Sequence, residues 1–340
     1  MCMGELARRR NALFSKAGFS RALLYNDDPT DFSPSFFYFS GCAVDGAYLL
    51  LNKKGGKLLT HRMNFRMAKE LSHYPAFEVG KEGAQPFLKK EFGKRKAAFN
   101  AGEMNAKLAD ALRRKVKLKL ADGGERMLSV RSEKSYEELS KLSKAAKIGR
   151  RILEALDPWE CRSEQELARA LKIKALEMGI EVSFEPIVAT GRDSSFPHHR
   201  ATGKKLEDFV LVDFGVRFEG YCSDFTRCYF RKNGMEEQLA YGKCVEVFDE
   251  LLDSLPSCAN GGEVAKLADK LVEKQGLPKM IHLIGHGVGL EVHEHPRLWR
   301  GSKDSLAGAV LAIEPAAYFR SYGVRFEEMV CRKGKGWKKL

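Results

Sequence analysis

The sequence predicts an α+β protein in two domains, a smaller α/β domain followed by a larger one that carries the chemistry. Three observations predict it. The 340 residues exceed the ~250–300 at which a single hydrophobic core stops growing. The N-terminal stretch alternates short apolar runs with Gly, Asn, Asp and Pro, the punctuation of a small mixed sheet. A pair of long helical patterns then separates that stretch from strand-like runs interrupted by acidic residues and histidines. The boundary falls near residues 125–132, giving domains of 1–128 and 129–340.

Composition narrows the function classes. Hydrophobic residues at 44% and charged residues at 30% exclude a disordered chain and leave enough apolar volume for two cores. No run of ~18 apolar residues occurs, so no spanning helix is predicted. The N-terminus, MCMGELARRRNALF, lacks the apolar segment and small-residue cleavage site of a secretory signal. A soluble, cytoplasmic protein without membrane partners is therefore expected. The eight cysteines form no CxxC pair, which fits reduced, small apolar residues rather than a disulfide framework.

A net charge of +13 raises nucleic-acid binding, but the basic residues are interspersed with acidic ones outside short runs. These runs are Arg8–Arg10, KKEFGKRK from Lys89, RRKVKLKL from Arg113 and the tail from Arg332. No aromatic-interleaved patch accompanies them, so a solvated basic surface is expected and a nucleic-acid partner is not.

Taken in order, RRRNALFSKAGF reads as a helix, and ALLYN, FFYFSG, AYLLLN and GKLLT read as short apolar strand segments. Charged helical stretches follow near 67–72 and 105–115. Between 133 and 156, Leu139, Leu142, Ala146, Gly149 and Leu153 recur at three- and four-residue steps, a helix with one apolar face. A second helix runs from Ser163, where S-E-Q-E resembles a capping box, to a stop at Gly179.

The segment 209–230, FVLVDFGVRFEGYCSDFTRCYF, reads as a hairpin. If it is symmetric about Phe218 and Glu219, Asp213 falls opposite Asp224, with Cβ atoms ~4.5–5.5 Å apart on one sheet face. Two carboxylates so placed repel each other unless a cation lies between them. Alone, the pair could also be solvated surface residues balanced by Arg217 or Arg227. Asp213, however, interrupts a Val and Leu run in which an unpaired carboxylate is costly.

Further on, IHLIGHGVGLEVHEHPRL holds four of the eight histidines: His282, His286, His293 and His295. Glycines on both sides of His286 let the backbone approach a ligand closely. Glu314 in VLAIEPAAYF and Glu327 in GVRFEEMV stand among apolar strand residues, where a carboxylate without a partner is forced toward its neutral form. One histidine and four carboxylates suit Mn²⁺, Co²⁺, Fe²⁺ or Zn²⁺, and five ligands are too many for one tetrahedral ion but right for two.

The ordered set D-x10-D, GHGxG-x3-HExP, IEP and VRxEE resembles the pita-bread metallopeptidases, which include methionyl aminopeptidase, aminopeptidase P and Xaa-Pro dipeptidase (prolidase). The resemblance covers residues 184–330. It implies a pita-bread catalytic domain with two divalent metal ions: Asp213 on one, His286 and Glu314 on the other, Asp224 and Glu327 bridging. Glu314 would also act as the base. The resemblance further implies that His198 and His293 contact substrate and stabilise the tetrahedral intermediate, with His199 a competitor for the first role. FFYFSGC stands where prolidases and aminopeptidase P have an aromatic strand leading to a glycine.

Arg297, directly after HEHP, stands where some prolidases hold the free C-terminal carboxylate, a task suited to a forked guanidinium. The expected activity is hydrolysis of Xaa-Pro dipeptides by a homodimer. Alternatives are an aminopeptidase acting on longer Xaa-Pro peptides, or a non-catalytic peptide- or nucleic-acid-binding member. Two departures from the family pattern, the glycine missing from KLEDFVLVDFG and PWECRSEQELA at the second helix, remove no ligand.

Overall fold

The computed structural model of the chain describes residues 3–15, 18–27, 32–233 and 236–340. It separates into two units, Met1–Arg131 and Ser132–Leu340.

The first unit is built on a mixed sheet. Its helices and strands run α1 (Met3–Phe14), β1 (Arg21–Asn26), α2 (Pro34–Ser40), β2 (Ala47–Asn52), β3 (Gly55–Thr60), α3 (Arg62–Leu71) and β4 (Ala76–Glu78). They continue through α4 (Gln85–Phe92), β5 (Lys96–Phe99), α5 (Ala106–Arg114), β6 (Lys119–Asp122) and α6 (Gly124–Ser132). The six strands lie in the order β4-β3-β2-β1-β5-β6. Leu23, Leu50, Leu59 and Phe99 of the sheet pack with Leu88 and Phe92 of α4 and Leu112 of α5 in one core. ALLYN, AYLLLN and GKLLT are strands, as expected. FFYFSG is not: it lies in α2, where Pro34 sits in the first turn and the chain leaves at Gly41 in the left-handed region. Aromatic composition favours a strand, but Pro34 at the start and Gly41 at the stop are helix punctuation, and here they prevail.

The second unit opens with α7 (Tyr136–Glu154) and α8 (Glu164–Glu177). Burial of Leu142, Ala145, Gly149, Ile152 and Leu153 marks the inner face of α7. The complete capping box is at Ser135 and Glu138 of α7. At Ser163 of α8 the hydroxyl accepts from Glu166 N, while the Glu166 carboxylate takes Arg162 N instead. The capping signal read at the second helix is thus fully realised at the first.

Strands β7 (Glu181–Val182), β8 (Ile187–Thr190), β9 (Phe209–Phe214), β10 (Val216–Phe218), β11 (Tyr221–Cys222) and β12 (Phe225–Phe230) follow. Next come α9 (Glu236–Ser254) and α10 (Gly261–Lys274), then β13 (Gly285–Gly287), β14 (Glu294–Arg297) and β15 (Val310–Ile313). The chain closes with β16 (Ala316–Tyr318), β17 (Gly323–Arg325), β18 (Glu328–Lys333) and β19 (Gly336–Lys339). One sheet has the order β12-β9-β8 and another β14-β13-β15-β18-β19. Cys244, Val247 and Phe248 of α9 and Val264 and Ala268 of α10 form a core with Leu211, Leu311, Ile313 and Val330 of these sheets. A bridge between Thr226 and Glu327 joins the strand ends that carry the acidic residues.

The hairpin differs from expectation by one residue. Its turn is at Glu219 and Gly220, with φ of 47° and 87°, and Phe218 pairs with Tyr221. A two-residue turn with both φ positive matches the twist of the flanking strands, so Asp213 faces Thr226 rather than Asp224. Moving the centre by one residue shifts the pairing by two, which keeps both aspartates on the same face as diagonal neighbours.

No helix among the described residues is long and apolar enough to cross a membrane. Seven cysteines are free thiols, four of them buried; Cys2 lies outside the described residues.

Candidate metal centre

Asp213 ends β9, Asp224 precedes β12, His286 is the middle residue of β13, Glu314 follows β15, and Glu327 lies between β17 and β18. Four of the five side chains are buried and Glu314 is half-buried. The two glycines around His286 are set by close approach. A Cβ at 285 would lie 2.1 Å from the Ala312 carbonyl oxygen, and one at 287 would lie 2.1 Å from that of His295. Only glycine lets β13 pass between β14 and β15 at this point.

His286 Nδ1 lies 3.1 Å from the Gly287 carbonyl oxygen, a bond in which the ring nitrogen must donate. Nε2 is then an unprotonated acceptor, aimed at Asp224 Oδ2 and Glu314 Oε1, both at 3.6 Å, and Glu327 Oε1 at 3.8 Å. This is the tautomer a metal-binding imidazole requires. Donor atoms of Asp213, Asp224 and Glu327 lie within 4.8 Å of one another, and so do those of His286, Glu314 and Glu327 and those of Asp224, His286 and His293. Asp224, His286 and Glu327 therefore each belong to two of these groupings.

One protein cation, Arg325, faces four carboxylates in this cluster and offsets only part of their charge. Arg325 Nη2 donates to Asp213 Oδ2 at 2.7 Å, its Nε to Thr226 Oγ1 at 2.9 Å and its Nη1 to Tyr318 Oη at 2.8 Å. Thr226 Oγ1 donates to Glu327 Oε2 at 2.8 Å. Asp213 Oδ1 is buried with no hydrogen-bond partner. Burial pushes Asp213 up to about 7, with Arg325 opposing and Glu327 reinforcing the shift. Burial, then Glu327, raises Asp224 and Glu314 well above the ordinary carboxylate range, and burial also raises Glu327. Burial lowers His282, His286 and His293 to about 4, leaving them neutral at pH 7. An orphaned carboxylate oxygen, an outward-turned imidazole lone pair and four crowded carboxylates fit divalent cations.

These shifts carry a stability prediction. The carboxylates are raised, so the stability they confer is present below about pH 4 and is lost as pH rises, for Asp213 through about 7. The imidazoles are lowered, so theirs is present above about 6.5 and is lost in acid. Above about pH 6.5 only the carboxylate slope remains. Chelator-treated protein is expected to lose several degrees of Tm between pH 6.5 and 8, and Mn²⁺ should abolish that fall. Scanning calorimetry checks this, and a flat or rising Tm after chelation contradicts it.

The cluster lines a cavity of about 610 Å³ with Phe184, Ile187, Pro197, Leu283 and Val292 as apolar wall. His198, His293 and Arg297 line the same cavity. The His293 ring packs 4.2 Å from that of His286, centroid to centroid, and the residue as a whole is exposed. His199 instead binds Glu164 at 2.9 Å, and His295 lies 3.2 Å from Asp304. A further grouping of Glu164, Asp193 and His199 has its lone pairs committed: Glu164 accepts from Thr190 N, Thr202 N, Thr202 Oγ1 and the His199 ring. Sequence reasoning assigned no role to Arg325, Tyr318 or His282, all of which line the site or its network. The period of two was the available signal, since 325 precedes 327 by two and 318 follows 314 by four.

The comparisons decide the lineage. The model of metallopeptidase family M24 matches residues 140–332. The chain belongs to metallopeptidase family M24. It is 35% identical to an uncharacterized peptidase of Methanocaldococcus jannaschii over 64% of this chain and 65% of that protein, just under two thirds of the relative. It is 28% identical to the Xaa-Pro dipeptidase of Pyrococcus horikoshii over 91% of this chain and 90% of that one. The structure of an Xaa-Pro dipeptidase from Bacillus anthracis matches with a TM-score of 0.87 at 26% identity, covering 99% of this chain and 96% of the other. The M24 chain thus has the pita-bread architecture behind a smaller N-terminal domain, the fold class its sequence predicts.

Proposed function

We propose that this M24 chain hydrolyses Xaa-Pro dipeptides with two divalent ions, held by Asp213, Asp224, His286, Glu314 and Glu327. The observation that supports the reading is the convergence of four carboxylates and one imidazole, in which Glu327 is common to the grouping with Asp213 and Asp224 and to the grouping with His286 and Glu314, as a bridging carboxylate would be. When bound, such ions supply an activated water and Lewis acidity toward the scissile carbonyl. Glu314 takes the proton of the attacking water and returns it to the leaving prolyl nitrogen. His293, held neutral by burial, and His198 each offer a ring N–H to the carbonyl oxygen as it gains charge. The imide nitrogen of Xaa-Pro has no hydrogen, and the apolar wall of Phe184, Ile187, Pro197 and Val292 suits a pyrrolidine ring.

Arg297 stands opposite His286 in the β13–β14 ladder, on the same cavity, and is read as the clamp on the C-terminal carboxylate. Replacement by Ala is expected to raise KM for Met-Pro ~10- to 100-fold, the worth of a charge-assisted hydrogen bond. KM for the amide Met-Pro-NH2 should stay unchanged, and equal effects on both would remove Arg297 from this role.

One observation favours the longer-peptide reading. A second cavity of about 640 Å³, bordered by Arg169 and Arg200, shares Ile187 and His198 with the first. Protein dialysed against chelator and reloaded with Mn²⁺ or Co²⁺ should cleave Gly-Pro and Met-Pro in preference to Gly-Pro-Ala. Preference for the tripeptide makes it an aminopeptidase, and neither metal uptake nor hydrolysis makes it a binding protein. Manganese as the ion, a homodimer and a cytoplasmic location complete the reading; the free thiols support the last.

A further inference from the structure

Within the second unit, Lys134 and Glu294 form an ion pair from which water is excluded: Nζ lies 2.9 Å from Oε2, and the side chains are 1% and 2% exposed. Buried charges are retained only where they are paired and their geometry is well held. Lys134 is fixed at its own backbone, whose N–H donates to the Gly308 carbonyl at 2.9 Å, and Ser135 after it starts the capping box of α7. Glu294 is the residue after His293 and the first of β14, paired with Gly287 next to His286. Its other oxygen, Oε1, accepts Glu291 N at 3.1 Å. That carboxylate closes the loop 291–294 on itself.

The loop is tied to the rest of the site by backbone. Gly289 N donates to the Glu291 carbonyl at 3.0 Å, and Cys222 N, two residues before Asp224, donates to the Gly289 carbonyl at 2.8 Å. A Cβ at 289 would stand 2.4 Å from Glu294 Oε2, so the carboxylate fills the space a side chain there would need. Glu294 is buried and bonded to Lys134, and it borders the metal cavity beside the exposed His293.

We infer that Lys134 is a positioning residue for His293: its ammonium locks the Glu294 carboxylate, which holds the 291–294 loop and so sets the imidazole over the metal cavity. The inference rests on the peptidase reading of the site. The carboxylate that the Lys134 ammonium holds, Glu294, is not one of the five cluster residues, so loss of Lys134 should act on the chemical step rather than on metal uptake.

The test uses full-length protein loaded with Mn²⁺ and Met-Pro as substrate. Lys134→Met is expected to lower kcat roughly 10- to 100-fold, as small displacements of a catalytic group do, with KM and bound manganese near wild type. Combined with His293→Ala it should cause no further fall, because the group it positions is gone. In K134M/E294M two apolar side chains of similar volume replace the pair, which restores Tm. Its kcat stays low, because Glu291 N has lost its acceptor. Should K134M alone not fold, the double variant carries the same readouts, including the absence of further loss with His293→Ala. Multiplicative losses with His293→Ala, wild-type kcat in K134M/E294M, or an undiminished K134M each overturn the inference. A wild-type protein that cleaves no dipeptide overturns the peptidase reading instead.

Discussion

Asp224→Asn protein is expected to lose ~10³-fold or more in kcat/KM for Met-Pro, on the order of 4 kcal/mol of transition-state stabilisation. Asparagine keeps the volume of the side chain and one carbonyl oxygen but removes the charge that the two groupings of donor atoms share. Its effect on stability should run the other way. Asp224 is held well above the ordinary carboxylate range, first by burial and then by Glu327, Asp213 and Glu314. Removing that charge relieves repulsion in chelator-treated protein, whose Tm at pH 8 should equal or exceed that of chelated wild type. Mn²⁺ should then raise Tm less than it does in wild type, since the stabilisation by a ligand follows its affinity. Turnover at the wild-type rate, or an undiminished rise in Tm with Mn²⁺, would remove Asp224 from the site.

Much of this site was legible because metal ligands on strands break a hydrophobic pattern. Asp213 stands in a fully buried strand, and Glu314 and Glu327 follow or precede apolar residues that pack in the core. A carboxylate at such a position has to be explained by a partner, and the structure brings the three together with Asp224 and His286. The partner of Asp213 was harder to see. Arg325 comes from a strand 112 positions away, and nothing local in the sequence says which carboxylate a buried guanidinium will meet. Register was the other loss. Symmetry about Phe218 and Glu219 puts the turn one residue early, whereas Glu219 and Gly220 fix it through positive φ. The face of each aspartate survived that error because strand geometry repeats every two residues.

In the first unit the signals conflicted in a different way. A run of four residues, Phe36 to Phe39, all aromatic, fits a strand by propensity, yet Phe36, Tyr38 and Phe39 are all fully buried in a helix. Burial on most sides of a short helix leaves no amphipathic period to read. Only Pro34 and Gly41 mark its ends. Nor does the pattern reveal that Lys134, at the start of a stretch that reads as a helix with one apolar face, reaches Glu294 across 160 positions.

His293→Ala is expected to keep its metal and lose ~10²–10³ in kcat, the cost of one donor to a developing oxyanion. Two readings of His293 compete in the geometry. One of its ring nitrogens lies within 4.8 Å of donor atoms of Asp224 and His286, which is where a ligand would be. Its ring, however, packs edge-on against that of His286 at 4.2 Å, and the residue is exposed whereas His286 is buried. Burial and the neighbouring imidazoles of His286 and His198 hold it near 4, so at neutral pH it is an N–H donor with no positive charge to repel a cation beside it. A neutral donor at the edge of the cluster stabilises charge that appears only in the transition state, and its loss falls on kcat rather than KM. Metal analysis of the Ala variant separates the readings. Manganese bound as in wild type with kcat reduced supports the donor, whereas loss of an equivalent of metal would make His293 a ligand.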